Sequence, residues 1–141
     1  MIEVHEFRKT YGELVAVDGV SFTAEAGAVF GLLGPNGAGK STTIDCISGL
    51  VRPSGGRISV LGHDVTTDAA RARKSLGVVP QALALYEELS AEDNLAYWGG
   101  AHGLGGKRLK QRVAEVLELI GLLDRAREPV KRFSGGMQRR L

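Results

Sequence analysis

Nine consecutive residues, Gly34-Pro35-Asn36-Gly37-Ala38-Gly39-Lys40-Ser41-Thr42, restrict the fold more than any other part of the chain. Before them runs a short apolar stretch, Ala28 to Leu33. After it, Ile44, Ile47 and Leu50 recur at helical spacing in the segment from Lys40 to Leu50. The pattern predicts a buried strand, a tight loop and a helix in that order. The loop fits G-x-x-x-x-G-K-[ST], with Gly34, Gly39, Lys40 and Ser41 at the fixed places.

Each residue type in that pattern answers a need of polyphosphate binding. A triphosphate crowds negative charge on oxygen, and a loop holds it when several backbone N–H groups converge on those oxygens. Side chains at the tight points would block the approach, so Gly37 and Gly39 suit close contact and unusual dihedrals. Lys40 offers a positive charge to the outer phosphates, and the Ser41 hydroxyl can ligate Mg²⁺. The start of the following helix adds free N–H groups and the positive end of its dipole. The expected ligand is a nucleoside triphosphate, with Mg²⁺.

Composition limits the alternatives. A chain of 141 residues is long enough to bury a useful core, and its 43% hydrophobic content argues against disorder. The net charge of +2 gives no electrostatic case for nucleic acid or a membrane surface. Lys107, Arg108, Lys110 and Arg112 cluster, and a solvated helix face accounts for them. Cys46 is the single cysteine, so no intrachain disulfide forms, and a reducing compartment is compatible. Its expected role is that of a small buried apolar side chain. No stretch reaches the roughly 20 apolar residues that span a bilayer. The N-terminus lacks the shape of a signal peptide. A soluble chain is expected, one that meets membranes through a partner.

The alternating pattern of Ile2 to Phe7 predicts a strand. Leu14 to Val17 and Val20 to Ala24 predict two more, divided by the turn signal Asp18-Gly19. Arg57 to Leu61 reads as a strand, Asp68 to Lys74 as a short helix, and Leu76 to Val79 as an apolar strand ended by Pro80. Beyond residue 82 the pattern becomes helical. Ser90 caps a helix with Glu92 and Asp93 in its first turn, carrying Leu95, Tyr97 and Trp98 as far as Gly99-Gly100. Gly103 to Gly106 is a loop. Lys107 to Ile120 forms a second helix with an apolar stripe of Leu109, Val113, Val116, Leu117 and Ile120. Residues 1–81 are therefore expected as the nucleotide-binding α/β part, and 82–141 as a helical subdomain.

A second motif narrows the class. Phe133-Ser134-Gly135-Gly136-Met137-Gln138-Arg139-Arg140-Leu141 resembles the signature motif of ATP-binding cassette (ABC) proteins. A serine that caps a helix, followed by two bare glycines, is also suited to an anion. The resemblance covers essentially the whole chain. It implies a P-loop NTPase of ABC type, α/β in class, with an N-terminal antiparallel β subdomain, a helical subdomain and its C-terminal part missing. It implies an ATP-binding subunit or domain of a membrane transporter, with ATP and Mg²⁺ as ligands.

The same resemblance assigns further positions. Tyr11 corresponds to the aromatic residue that stacks on adenine, the alternative being a core or edge tyrosine. Val17 would pack beside the ribose and base. Gln81 matches the glutamine that touches Mg²⁺ and the attacking water, so Gln81 and Lys40 are the candidate catalytic residues and Ser41 and Gln81 the candidate metal ligands. Gly34 to Thr42 and the two residues Tyr11 and Val17 form the candidate nucleotide site. Ser134, Gly135, Gly136 and Gln138 would contact ATP held by a second cassette in a head-to-tail pair. A transmembrane permease is the other implied partner, with no direct nucleic acid, and the implied location is the cytoplasmic face of the cell membrane. Val78-Val79-Pro80-Gln81 and Leu85-Tyr86-Glu87-Glu88-Leu89-Ser90 resemble exporters of drug-resistance type.

In the family, an apolar strand ending in Asp, a catalytic Glu and a later switch histidine follow the signature helix. None lies within residues 1–141. Leu119 to Asp124 imitates such a strand, but its first residues complete a helical stripe and it precedes the signature. Asp64 is misplaced for the same reason. His5, His63 and His102 show no ligand spacing and are expected at the surface. A fragment with little hydrolytic activity of its own is the expectation. A soluble ABC ATPase acting on ribosomes or DNA, or a nucleotide-binding remnant, are the alternatives.

Overall fold

A computed structural model describes residues 1–80 and 82–141. The chain divides into two compact units, Met1–Val78 and Val79–Leu141.

The first unit is built on an antiparallel sheet. Strands β1 (Ile2–Tyr11), β2 (Leu14–Ala24), β3 (Gly55–Val60) and β4 (His63–Asp64) lie in the order β2-β1-β3-β4. Helices α1 (Lys40–Ile47) and α2 (Ala69–Lys74) belong to the same unit. Val4, Phe7 and Val17 of the long hairpin, Ile58 and Val60 of β3, Val65, Cys46 and Ile47 of α1 and Ala72 of α2 form its core. Phe7 and Cys46 have no exposed surface, and burial pushes the Cys46 thiol above its ordinary pKa. Cys46 is thus packed as a small hydrophobe rather than presented as a nucleophile.

Local chemistry explains where the sheet departs from the sequence-based expectation. Asp18-Gly19 does not divide β2 into two strands. Phe7 pairs with Val20 and Lys9 with Val17, so β2 carries one extra residue there. Gly19 takes that bulge at φ 67°, and the strand continues through it. A complementary bulge occurs in β1 at Glu6, whose φ is 45°. The Ser21 hydroxyl holds it, accepting from Glu6 N–H at 2.8 Å and donating to the Glu6 carboxylate at 3.0 Å. Gly56 makes room opposite, because a Cβ there would fall 2.1 Å from the Glu6 carbonyl oxygen.

Two expected strands are absent. Ala28 to Leu33 has no ladder partner among the described residues, and Val29 and Leu33 are almost fully exposed. Its anchor is Phe30, which stacks on Phe22 at 4.9 Å between ring centroids. Leu76 to Val79 likewise forms no strand, and Val79 is exposed. Both runs have the apolar composition of strands buried on two faces. Such a strand exists only when neighbouring strands satisfy its backbone, and no parallel pair occurs among the described residues.

The second unit is helical. Helix α3 (Ala91–Ala101) and helix α4 (Gly106–Leu119) are followed by short 3-10 turns at Leu123–Arg125 and Val130–Arg132, then by α5 (Gly135–Arg140). Ser90 caps α3 by accepting from Asp93 N–H. The helix does not stop at Gly99-Gly100 but runs through both to Ala101. A Cβ on Gly99 would stand 2.5 Å from Leu109 of α4, so glycine lets the two helices approach closely. Leu117, Leu122, Phe133 and Ala91 form the core, with Leu95, Val113 and Ile120 against it.

Asn94 is fully buried and organises the segment before α3. Its side-chain carbonyl accepts from Tyr86 N–H at 2.8 Å, and its amide donates to the carbonyls of Tyr86 and Ser90, each at 2.9 Å. Buried amides of this kind are stable when satisfied on both sides, as here.

Candidate functional site

The loop from Gly34 to Gly39 is exposed along most of its length and leads directly into α1. Gly37 and Gly39 adopt φ values of 84° and 81°, in the left-handed region that glycine enters without a steric penalty. Gly34 faces Ala38, where a Cβ would leave 3.1 Å between the two carbons. Gly39 lies against β2, with the Ala16 carbonyl oxygen and Val17 Cγ2 each 2.6 Å from the place a Cβ would take. The backbone of the loop at Gly39 thus packs directly on strand β2.

Its donors point to an anion. Within the loop, Ala38 N–H donates to the Pro35 carbonyl at 3.2 Å, and Thr43 N–H donates to Gly39 at 2.8 Å. Among the described residues, the N–H groups of Gly37, Gly39, Lys40, Ser41 and Thr42 have no acceptor. Several of these belong to the first turn of α1, where helix geometry leaves N–H groups unpaired and the helix dipole is positive. Lys40 Nζ donates to the carbonyls of Gly34 at 2.7 Å and Pro35 at 2.6 Å, which keeps the ammonium over the loop. Unpaired N–H groups, bare glycines and one ammonium fit a polyphosphate. The exposed Ser41 hydroxyl fits a hard cation bound with it.

The structure treats the two proposed base contacts differently. Tyr11 closes the hairpin opposite Leu14, and its ring is about half exposed. Lys9 Nζ lies 4.7 Å from the centre of that ring and donates to the Arg52 carbonyl at 2.9 Å. Val17 is a core residue, 6% exposed, and its contact with the loop is through Gly39. Sequence reasoning passed over Lys9. The signal was its spacing, since residues i and i+2 of a strand share a face. Gln81 lies outside the described residues.

In the second unit, Ser134 caps α5 by accepting from Met137 N–H at 3.3 Å. Gly135 and Gly136 are exposed, and neither has a positive φ. A Cβ on Gly135 would meet nothing within 4 Å, and one on Gly136 would meet only Ser134 Oγ at 4.0 Å. Gln138 donates its side-chain amide to the Val130 carbonyl at 3.2 Å, which ties α5 to the preceding turn. Arg125 braces the same region. It pairs with Glu128 at 2.6 Å and lies 5.3 Å from the centre of the Phe133 ring. Hydrogen bonding from Arg125 holds the Glu128 carboxyl below its usual range.

The histidines form no common site. His5 and His102 are exposed, whereas His63 is half-buried, with Nδ1 2.8 Å from an Asp68 carboxylate oxygen. Among the described residues no helix is long and apolar enough to cross a membrane.

Comparison with known proteins agrees with this arrangement. The family model for the ABC transporter matches residues 17–141. The chain is 48% identical over 141 residues to the linearmycin resistance ATP-binding protein LnrL of Bacillus subtilis (strain 168), covering all of this chain and 45% of that protein. It is 46% identical over 140 residues to Nod factor export ATP-binding protein I of Sinorhizobium fredii (strain NBRC 101917 / NGR234), covering 99% of this chain and 41% of the relative. A solved ATP-binding subunit of an ABC transporter superposes with a TM-score of 0.82 at 32% identity, over 99% of this chain and 58% of that one. The cbiO1 structure from Clostridium perfringens, part of the ABC transporter complex cbiONQ, gives 0.87 at 26% identity, over 99% and 57%. The chain belongs to the ABC transporter family and has the fold of its ATP-binding subunits. It spans less than half the length of the curated relatives it matches.

Proposed function

We propose that this chain is the N-terminal part of the ATP-binding subunit of an exporter, and that Gly34 to Thr42 is its nucleotide site. The observation that carries this is the set of N–H groups of Gly37, Gly39, Lys40, Ser41 and Thr42 at the head of α1, which have no acceptor among the described residues, with the Lys40 ammonium over the same loop. The loop N–H groups hold the inner phosphates, Lys40 the outer ones, and Tyr11 stacks on the adenine. Val17 acts from beneath, as the floor on which Gly39 rests. Ser41 and Gln81 are the residues that would hold Mg²⁺, which when bound neutralises charge on the transferring phosphoryl group. Gln81 is also assigned to orienting the attacking water. Lys40 stabilises negative charge on the outer phosphate.

The signature residues act on a different nucleotide. Glycines in a helix weaken it by about 0.5–1 kcal/mol each relative to alanine. At Gly135 and Gly136 no contact among the described residues requires them. Close approach by a group from outside accounts for both. We assign Ser134, Gly135 and Gly136 to the triphosphate bound by a second cassette, with Gln138 fixing the helix that presents them. ATP would then close a head-to-tail pair, and hydrolysis would reopen it.

An exporter function follows from relatives whose names refer to linearmycin resistance and Nod factor export. The partner is a membrane permease, and the location is the cytoplasmic face of the membrane. Affinity purification of the complete gene product from membranes tests this. Recovery with a permease, and ATP turnover lost on Lys40→Ala, supports it. Recovery with ribosomes or DNA instead would replace it with the soluble alternative.

A further inference from the structure

We propose that Lys9 is a positioning residue for nucleotide-base recognition, fixing the Tyr11 ring from one face so that the other face is presented to the base. The assignment rests on Tyr11 being the adenine platform. Tyr11 stands at the corner of a hairpin whose loop, Gly12-Glu13, has Gly12 at φ 57°. A half-exposed ring at such a corner would otherwise sample several rotamers, and each would have to be given up on binding. Lys9 restricts it. The two residues lie on one face of β1, and the ammonium is 4.7 Å from the ring centre, within cation–π range.

Lys9 is itself held. Its ammonium donates to the Arg52 carbonyl at 2.9 Å, in the segment that follows α1. That segment is stitched to the end of β1 on both sides of Lys9. Ser54 N–H donates to the Arg8 carbonyl at 2.9 Å, and Ser54 Oγ accepts from Thr10 N–H at 3.1 Å. The chain leaving the phosphate-loop helix is thereby fastened to the strand that carries the aromatic ring. Lys9 is the side chain in this seam that also touches the ring. It therefore has two neighbours of functional interest, the base platform and the exit of the phosphate helix.

The two roles separate by ligand. Displacement of a fluorescent ATP analogue by ATP and by inorganic tripolyphosphate would be measured on the 141-residue chain, with circular dichroism confirming the fold of each variant. Lys9→Met is expected to weaken ATP by about threefold to fivefold while leaving tripolyphosphate unchanged, and Lys9→Arg to restore ATP binding. Tyr11→Ala should weaken ATP at least as much, and Lys9→Met should then add nothing. Unchanged ATP binding by Lys9→Met, alongside loss in Tyr11→Ala, would overturn the assignment while sparing Tyr11 as platform. Equal weakening of ATP and tripolyphosphate would also overturn it, by moving the effect to the phosphate loop. If Tyr11→Ala binds ATP normally, the platform itself fails, and the role of Lys9 fails with it.

Discussion

Gly39 rests directly on Val17. A Cβ on Gly39 would be 2.6 Å from Val17 Cγ2, and equally close to the Ala16 carbonyl oxygen. The phosphate loop and strand β2 are therefore one mechanical piece, although Val17 and Gly39 are 22 positions apart in the sequence. A substitution at Gly39 must move the strand, the loop or both. Its φ of 81° adds a backbone penalty for any side chain.

Gly39→Ala is therefore expected to weaken ATP binding at least about tenfold and to lower stability by about 1–3 kcal/mol. Fluorescent-nucleotide titration and thermal unfolding measure the two effects. Val17→Ala relieves one clash and leaves the carbonyl clash in place. Combining it with Gly39→Ala should not restore the site.

Asn94→Ala should be among the most damaging substitutions in the helical unit. It removes the acceptor of Tyr86 N–H and the side-chain donor to the Tyr86 and Ser90 carbonyls, which keep the backbone N–H groups of Leu89 and Asn94. Leaving the Tyr86 N–H unsatisfied costs about 1–3 kcal/mol when it stays buried, and the buried amide's other two bonds are lost with it. A loss of about 2–3 kcal/mol is expected in denaturant unfolding followed at Trp98. A change below about 0.5 kcal/mol would show that the segment does not depend on Asn94.

Asp64 provides a pH signature. Burial pushes its carboxyl up, but N–H donors from Thr67 and Thr66 and the charge of Arg57 outweigh this, so its pKa lies below the ordinary value. A depressed carboxylate contributes stability that is present above the unfolded pKa of about 3.9 and is lost as pH falls through the folded value. Asp64→Ala should cost about 1–2 kcal/mol at pH 7, and the difference from wild type should shrink below about pH 4. Unfolding curves at several pH values decide this. A difference that grows on acidification would contradict the assignment.

Gly135→Ala separates fold from function. Nothing among the described residues occupies the space its Cβ would fill, so the substitution should leave stability unchanged or raise it by about 0.5–1 kcal/mol. Binding of ATP to the isolated chain should be unaffected, because the signature acts on a partner's nucleotide. In the complete protein, ATP-driven pairing, read by light scattering, should be lost.

The parts legible in the sequence are those whose cause is local. The Ser90 cap and the apolar stripe from Leu109 to Ile120 give helices α3 and α4 because each needs only its own neighbours. The phosphate loop is visible for the same reason, as its determinants are consecutive. Ala28 to Leu33 shows the opposite case: composition marks a strand, but pairing requires neighbours that the run does not contain. The bulges at Glu6 and Gly19 were hidden because pairing register is decided across strands. The supports of the candidate site, Val17 beneath Gly39 and Lys9 beside Tyr11, depend on contacts that only the folded chain shows.

Equilibrium binding of ATP to the 141-residue chain, compared with its Lys40→Ala variant, tests the central claim most directly. The account predicts saturable ATP binding that weakens roughly tenfold to a hundredfold when the ammonium is removed, the range for a hydrogen bond to a charged group. Lys40→Ala binding ATP as tightly as the wild type would contradict it.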